Sequence, residues 1–75
     1  MSDPRYEGVG DPDIKCVEEC AELIHAICKA RRFGWDNWHP DDPTRLTNKG
    51  RVFSEISDVE KRCAELRAYL TLDKP

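Results

Sequence analysis

Two apolar repeats of helical period, separated by a segment rich in glycine, proline and aspartate, constrain the fold of this 75-residue chain most strongly. The first repeat alternates intervals of three and four residues and comprises Ile14, Val17, Ala21, Ile24 and Cys28. The second has the same intervals and comprises Ile56, Val59, Cys63, Leu66 and Leu70. Such spacing places one apolar stripe along an α-helix. The sequence therefore predicts an all-α fold of two helices that pack against each other through these two stripes.

Local signals set the expected bounds of these elements. Asp11 and Pro12 are a typical helix start and Gly34 a typical end, so helix A is predicted over 12–33. The segment 34–49 shows neither helical nor strand periodicity and is predicted to be a loop. Thr47 or Asn48 can cap helix B, predicted over 49–71. Residues 1–10 are interpreted as a flexible arm and 11–75 as a single helical domain.

Helix A is apolar over more than one stripe. A second apolar strip lies beside the first and comprises Cys16, Cys20, Leu23 and Ile27. One partner helix cannot cover both strips, which together span nearly half of the helix circumference. We therefore expect an antiparallel helical hairpin that assembles into a four-helix or larger bundle by homo-oligomerisation. The alternative is that the second strip packs on the 34–49 loop.

Composition narrows the class of protein. The chain has 12 basic and 15 acidic residues, a net charge of −3, which argues against a dedicated partner of nucleic-acid polymers. Apolar runs are too short for a membrane span, and the first residues lack a signal-peptide core. The four cysteines form no C-x-x-C pair, which indicates reduced thiols and a cytoplasmic protein. A zinc site of Cys16, Cys20 and His25 would have a spacing that fits no standard site.

Acidic residues occur as one pair on each helix. Glu19 and Glu22 are three residues apart on helix A, and Glu55 and Asp58 are three apart on helix B. Residues at this spacing share a helix face, so the pairs can converge in a hairpin. Four carboxylates at one place repel one another unless cations lie among them, and magnesium prefers oxygen ligands. The alternative is that both pairs are solvated on helix faces.

The segment 29–51 is basic, with six basic and three acidic residues. Lys29 lies about two turns beyond Glu22, and Arg32 follows it, an arrangement that suits a polyphosphate beside a metal. The alternative is a cationic helix C-terminus favoured by the helix dipole. A base could stack on Trp35 or Trp38, although either indole could instead anchor the loop. His25 could bind a ligand or have a structural role.

The order of these motifs resembles a known family. The run E-E-C-A-E-L-I, followed by K-x-x-R-F-G and later by N and E-I-S-D-V, is similar to the motifs of the MazG-like nucleoside triphosphate pyrophosphohydrolases, especially short phage-type members. The family patterns E-x-x-E and E-x-x-D match Glu19-x-x-Glu22 and Glu55-x-x-Asp58. The resemblance covers residues 14–66.

The resemblance implies a metal-dependent enzyme that acts as a dimer or tetramer and cleaves a nucleoside triphosphate between the α and β phosphates. The implied magnesium ligands, with manganese as an alternative metal, are Glu19, Glu22, Glu55 and Asp58. The implied contacts to phosphate or sugar are Lys29, Arg32 and Asn48. Glu18 is a further ligand or the base that receives the proton of water, and Glu22 is counted as catalytic with it. If the protein is encoded by a phage, it would act in the host cytoplasm.

Two other functions fit the same residues. The chain could be a nucleotide-binding protein that sequesters a phosphorylated ligand without turnover, for instance a phage protein directed at a nucleotide signal. It could also be a helical hairpin used only for protein–protein contact, which would leave the acid pairs unexplained.

Overall fold

The computed structural model describes residues 11–72, and the predicted N-terminal arm lies outside this range. Helix α1 covers Pro12–Phe33 and helix α2 covers Asn48–Thr71. The helices pack against each other and are antiparallel, since Cys16 contacts Cys63 while Phe33 lies near Arg51 at the opposite end. The all-helical character is therefore confirmed. Neither helix contains a stretch apolar enough and long enough to cross a membrane.

Local chemistry explains where the helices begin and end. Pro12 occupies the first turn of α1, where a missing N–H costs little. Gly34 follows the helix with φ of 99°, a conformation that favours glycine, and a Cβ here would lie 2.7 Å from Asn37 Nδ2. The Thr47 hydroxyl accepts a hydrogen bond of 3.0 Å from the Gly50 N–H and caps α2.

The face of α1 that meets α2 differs from the predicted one. Cys16 is buried and Ala30 is completely inaccessible to solvent, whereas Ile14, Val17 and Ile24 are 53%, 64% and 63% exposed. The second apolar strip therefore faces α2, and the prediction that the Ile14–Cys28 stripe does so is wrong. The two buried positions of α1, Cys16 and Ala30, both carry small side chains at the contact with α2.

The face of α2 that packs against α1 also differs from the expected Ile56–Leu70 stripe. Val52 is buried, and Val59 and Leu66 are half-buried, but Ile56 and Leu70 remain exposed. The positions that are less exposed follow a helical period of their own and comprise Val52, Glu55, Val59, Arg62, Leu66 and Tyr69. One consequence is that Glu55 lies beside the interface between the helices rather than in open solvent.

The connection between the helices is closed at its base by backbone hydrogen bonds. The Lys49 N–H donates to the Trp35 carbonyl at 2.9 Å, and the Asn48 N–H donates to the Asn37 carbonyl at 2.7 Å. The Asn48 side chain also donates to the Gly34 carbonyl at 2.8 Å. These bonds bring the end of α1 and the start of α2 together, so the loop is an ordered extension of the hairpin.

Candidate metal centre and adjoining cavity

Three carboxylates from the two helices meet at the middle of the hairpin. Glu19 of α1 and Glu55 and Asp58 of α2 each offer an oxygen, and these oxygens lie within 4.8 Å of one another. Glu55 and Asp58 share a face of α2 because three residues separate them. Glu19 reaches them because the Cys16–Ala30 face of α1 is turned toward α2. The structure thus brings together three of the four predicted magnesium ligands.

The surroundings of Glu19 and Glu55 disfavour an uncompensated negative charge. Burial raises the pKa of both carboxyl groups, and the charges of Glu22 and Asp58 raise the pKa further. One oxygen of each group, Glu19 Oε2 and Glu55 Oε2, is inaccessible to solvent and accepts no hydrogen bond. Buried carboxylate oxygens without a donor are costly, and a cation between them would remove the cost.

Glu22, the fourth predicted ligand, acts on the cluster from its edge. Its side chain is exposed, but its charge raises the pKa of Glu19 and of Glu55, which places it close to both. Arg62 offsets part of the negative charge of the cluster, since its Nε lies 3.9 Å from Glu19 Oε1. The closer contact of Arg62 is that of Nη1 with Glu65 Oε2, at 2.9 Å. Glu18 is exposed and is not one of the three clustered carboxylates.

The end of the hairpin next to the loop has a partly open cavity of about 460 Å³. Both helices and the loop contribute to its wall, which is formed by Lys29, Phe33, Asn37, Trp38, His39, Pro40, Asn48 and Arg51. The cavity therefore combines two aromatic rings with two cationic side chains. A volume of this size accommodates a small organic molecule, and the combination suits one with a flat ring and an anionic group.

The predicted nucleotide contacts divide into two groups around this cavity. Lys29, Trp38 and Asn48 line it. Arg32, Trp35 and His25 are exposed and are not among its lining residues. The Arg32 guanidinium lies over the Phe33 ring at 5.9 Å, so it borders the cavity wall from outside. The Trp35 carbonyl accepts a hydrogen bond from the Lys49 N–H, while the Trp35 side chain is 41% exposed.

Sequence reasoning missed Arg51, Phe33 and Asn37 as parts of the cavity wall. Arg51 is the most informative of these, because it lies four residues before Glu55 on the same face of α2 and its charge lowers the pKa of that carboxyl group. That spacing was visible in the sequence. Phe33 belongs to the K-x-x-R-F-G run but was given no role, and no sequence signal marked Asn37, whose position depends on how the loop folds after Gly34.

Asp42 anchors the tip of the loop to α2. Its carboxylate accepts hydrogen bonds from the Thr44 N–H at 2.9 Å and the Thr44 hydroxyl at 2.6 Å, and it pairs with Arg51. The Asp42 side chain is only 8% exposed. The Thr44 hydroxyl and amide, followed by Arg51, lower the pKa of Asp42. The network fixes Arg51 at the cavity wall.

The lowered pKa of Asp42 leads to a pH prediction. A carboxylate with a lower pKa in the fold than in the unfolded chain stabilises the fold above its unfolded pKa of about 3.9, and this contribution is lost as pH falls through the folded value. We expect Asp42→Asn to lower the thermal midpoint at pH 7. The difference from the wild type should shrink as pH falls below about 4. A difference independent of pH, measured by circular dichroism, would contradict the assigned network.

Comparison with known proteins identifies no relative: no protein-family model, no curated protein and no solved structure matches the chain. The resemblance to MazG-like enzymes therefore stays a prediction based on the motifs. The geometry of the described residues has to support any assignment of function.

Proposed function

We propose that the protein is a magnesium-dependent nucleotide pyrophosphohydrolase, which cleaves a nucleoside triphosphate or a related nucleotide between the α and β phosphates. The observation that supports this best is the pair of buried oxygens without hydrogen-bond donors, Glu19 Oε2 and Glu55 Oε2, on opposite helices beside Asp58. Oxygen ligands in such a group suit magnesium, or manganese in its place.

The residues take different roles in this proposal. Glu19, Glu55, Asp58 and Glu22 would hold magnesium, which when bound would neutralise charge on phosphate oxygens and lower the pKa of a water molecule. Lys29 and Arg51 attract the phosphate chain from the cavity side. Glu22 or Glu18 receives the proton of the attacking water, and Glu22 is the better placed because it borders the cluster. The products are a nucleoside monophosphate and pyrophosphate.

The spacing of the two regions fits an extended nucleotide. Glu22 and Lys29 are seven positions apart on α1, and Asn48 and Glu55 are seven positions apart on α2. Each interval corresponds to about 10 Å along a helix axis. A nucleotide with its base between Phe33 and Trp38 would therefore extend its phosphates along both helices toward the acidic cluster.

A direct assay tests the proposal. The protein is incubated with a panel of ribo- and deoxyribonucleoside triphosphates and magnesium, and the products are separated by anion-exchange chromatography. We expect equal amounts of monophosphate and pyrophosphate, and none when magnesium is chelated. Release of inorganic phosphate with formation of the diphosphate would contradict the assigned cleavage position.

Sequestration of a nucleotide without turnover is the second candidate function. The observation that favours it is the cavity itself, since Lys29, Trp38 and Arg51 could retain a ligand whatever happens at the acidic cluster. In that case the nucleotide binds tightly and is recovered unchanged after the protein is denatured. The same incubation therefore separates the two functions.

We also propose that the active form is a homo-oligomer in which a second copy covers the exposed stripe of α1. Ile14, Val17 and Ile24 are each more than half exposed, and a two-helix chain of this length buries little apolar surface alone. A second copy offers the same apolar stripe, and two such stripes form a self-complementary contact.

Ile24→Glu tests the oligomer. Light scattering should give a dimer or tetramer for the wild type. Ile24→Glu should give a smaller species with a lower thermal midpoint, because one carboxylate from each chain would otherwise be buried at the contact. Lys61→Glu, at an exposed position of α2, is the control and should leave the mass unchanged. A wild-type mass equal to one chain would refute the oligomer.

A further inference from the structure

Two cysteines from opposite helices lie side by side at the end of the hairpin away from the loop. Cys16 Sγ of α1 and Cys63 Sγ of α2 are 3.7 Å apart, although 47 positions separate them in the sequence. Both are free thiols, Cys16 buried and Cys63 exposed. The two sulfur atoms are in van der Waals contact, and a disulfide would bring them to the bonded distance of about 2.0 Å.

From this juxtaposition we propose that Cys16 and Cys63 are a modification site, at which a low-molecular-weight disulfide oxidises the two thiols to an intramolecular disulfide that joins α1 to α2. The inference is independent of the proposed enzymatic function. It concerns a pair of residues that the acidic cluster and the cavity do not use.

The different exposure of the two thiols sets the order of the steps. The exposed Cys63 thiolate attacks the small disulfide, a mixed disulfide forms and one small thiolate leaves. The Cys16 thiolate then attacks Cys63 Sγ, the Cys16–Cys63 bond forms and the second small thiolate leaves. The protein loses two electrons and two thiol protons, and the small disulfide gains both as two thiols.

The environment of Cys16 suits the second of these steps rather than the first. The contact with Cys63, together with burial, raises the pKa of Cys16 to about 11, so this thiol is mostly protonated at neutral pH and reacts poorly with reagents in solution. Once Cys63 carries a mixed disulfide, however, the neighbouring sulfur is the target, and proximity compensates for the small thiolate fraction.

The bond would fix the two helices at one end of their interface. Cys16 is three residues from Glu19, and Cys63 follows Arg62, which contacts Glu19. A cross-link between residues so far apart in sequence restricts the unfolded chain strongly. We expect the oxidised protein to unfold at a temperature higher by on the order of 10 °C than the reduced protein.

The test is incubation of the wild-type protein with oxidised glutathione at pH 8, followed by alkylation, proteolysis and mass spectrometry. We expect a linked peptide pair containing Cys16 and Cys63, with a mass two hydrogen atoms below the sum of the two free peptides, from a protein that stays a single chain. Reduction should reverse both the mass change and the increase in thermal midpoint. The double variant Cys20→Ser/Cys28→Ser should form the same bond, and Cys63→Ser should form none.

Two results would overturn the proposal. One is that Cys16 and Cys63 are both recovered as free thiols although the exposed Cys28, which serves as an internal control, has reacted completely with oxidised glutathione. The other is that the mapped bond joins Cys63 to Cys20 or links two chains. Because the peptide map is made on the wild type, the outcome does not depend on the folding of any variant.

Discussion

Glu55→Gln is expected to reduce magnesium-dependent pyrophosphate release by about 10²–10³-fold while the hairpin remains folded. The substitution keeps the shape of the side chain but removes the negative charge and replaces one carboxylate oxygen by a donor. Glu55 Oε2 is one of the two buried oxygens without a hydrogen-bond donor, and Glu55 also belongs to the clustered group with Glu19 and Asp58. Anion-exchange separation of the products measures the effect.

Glu60→Gln is the matched control for this experiment. It makes the same chemical change on α2, at an exposed position outside the acidic cluster, and should leave turnover within about twofold of the wild type. If Glu55→Gln retained full turnover, the proposed metal centre would be wrong. If both variants lost activity together, the loss would reflect the fold rather than the cluster.

Magnesium is expected to raise the thermal midpoint of the wild type by about 10–20 °C when its concentration exceeds Kd about 100-fold. We expect a large effect because the cluster is unfavourable without metal: burial and neighbouring carboxylates oppose ionisation of Glu19 and Glu55. A bound cation satisfies the buried oxygens and cancels the repulsion. Scanning fluorimetry with the two tryptophans as probes, at a fixed protein concentration, measures the shift.

Glu19→Gln should reverse this behaviour. Without magnesium the variant should unfold at a higher temperature than the wild type, because one of the repelling charges is gone. With magnesium it should gain little, because a ligand is missing. Sodium chloride at equal ionic strength is the control, since general screening would act on both proteins. A wild-type midpoint that responds equally to both salts would exclude a specific cation site.

The sequence predicted the helices well but not their faces. Helix α1 begins at Pro12 and ends just before Gly34, as expected. The expected start of α2 is within one residue of its observed start at Asn48. The orientation of α1 was mistaken because two apolar strips lie side by side, and periodicity ranks neither above the other. The burial of Cys16 and Ala30 shows which strip meets α2, a choice that depends on how both helices pack together and not on the hydrophobicity of one helix.

The candidate site was predictable where it depended on helix geometry. Acid pairs three residues apart on two antiparallel helices were expected to converge, and Glu19, Glu55 and Asp58 do so. The cavity wall depended on loop conformation, which backbone hydrogen bonds such as Lys49 to Trp35 determine. Any residue other than proline can donate such a backbone hydrogen bond, so the residue types in the loop gave little information about the conformation of the loop.

The closed base of the loop holds one part of the cavity wall apart from the acidic cluster. Since the bonds at Trp35–Lys49 and Asn37–Asn48 hold the helix ends together, the segment between them can change in sequence while the helices keep their register. The carboxylates lie on the helices, whereas Trp38 and His39 lie on that segment. Under the proposed function, exchanging Trp38 and His39 for other residues would alter which base the protein prefers, while the carboxylates of the acidic cluster keep their positions on the helices.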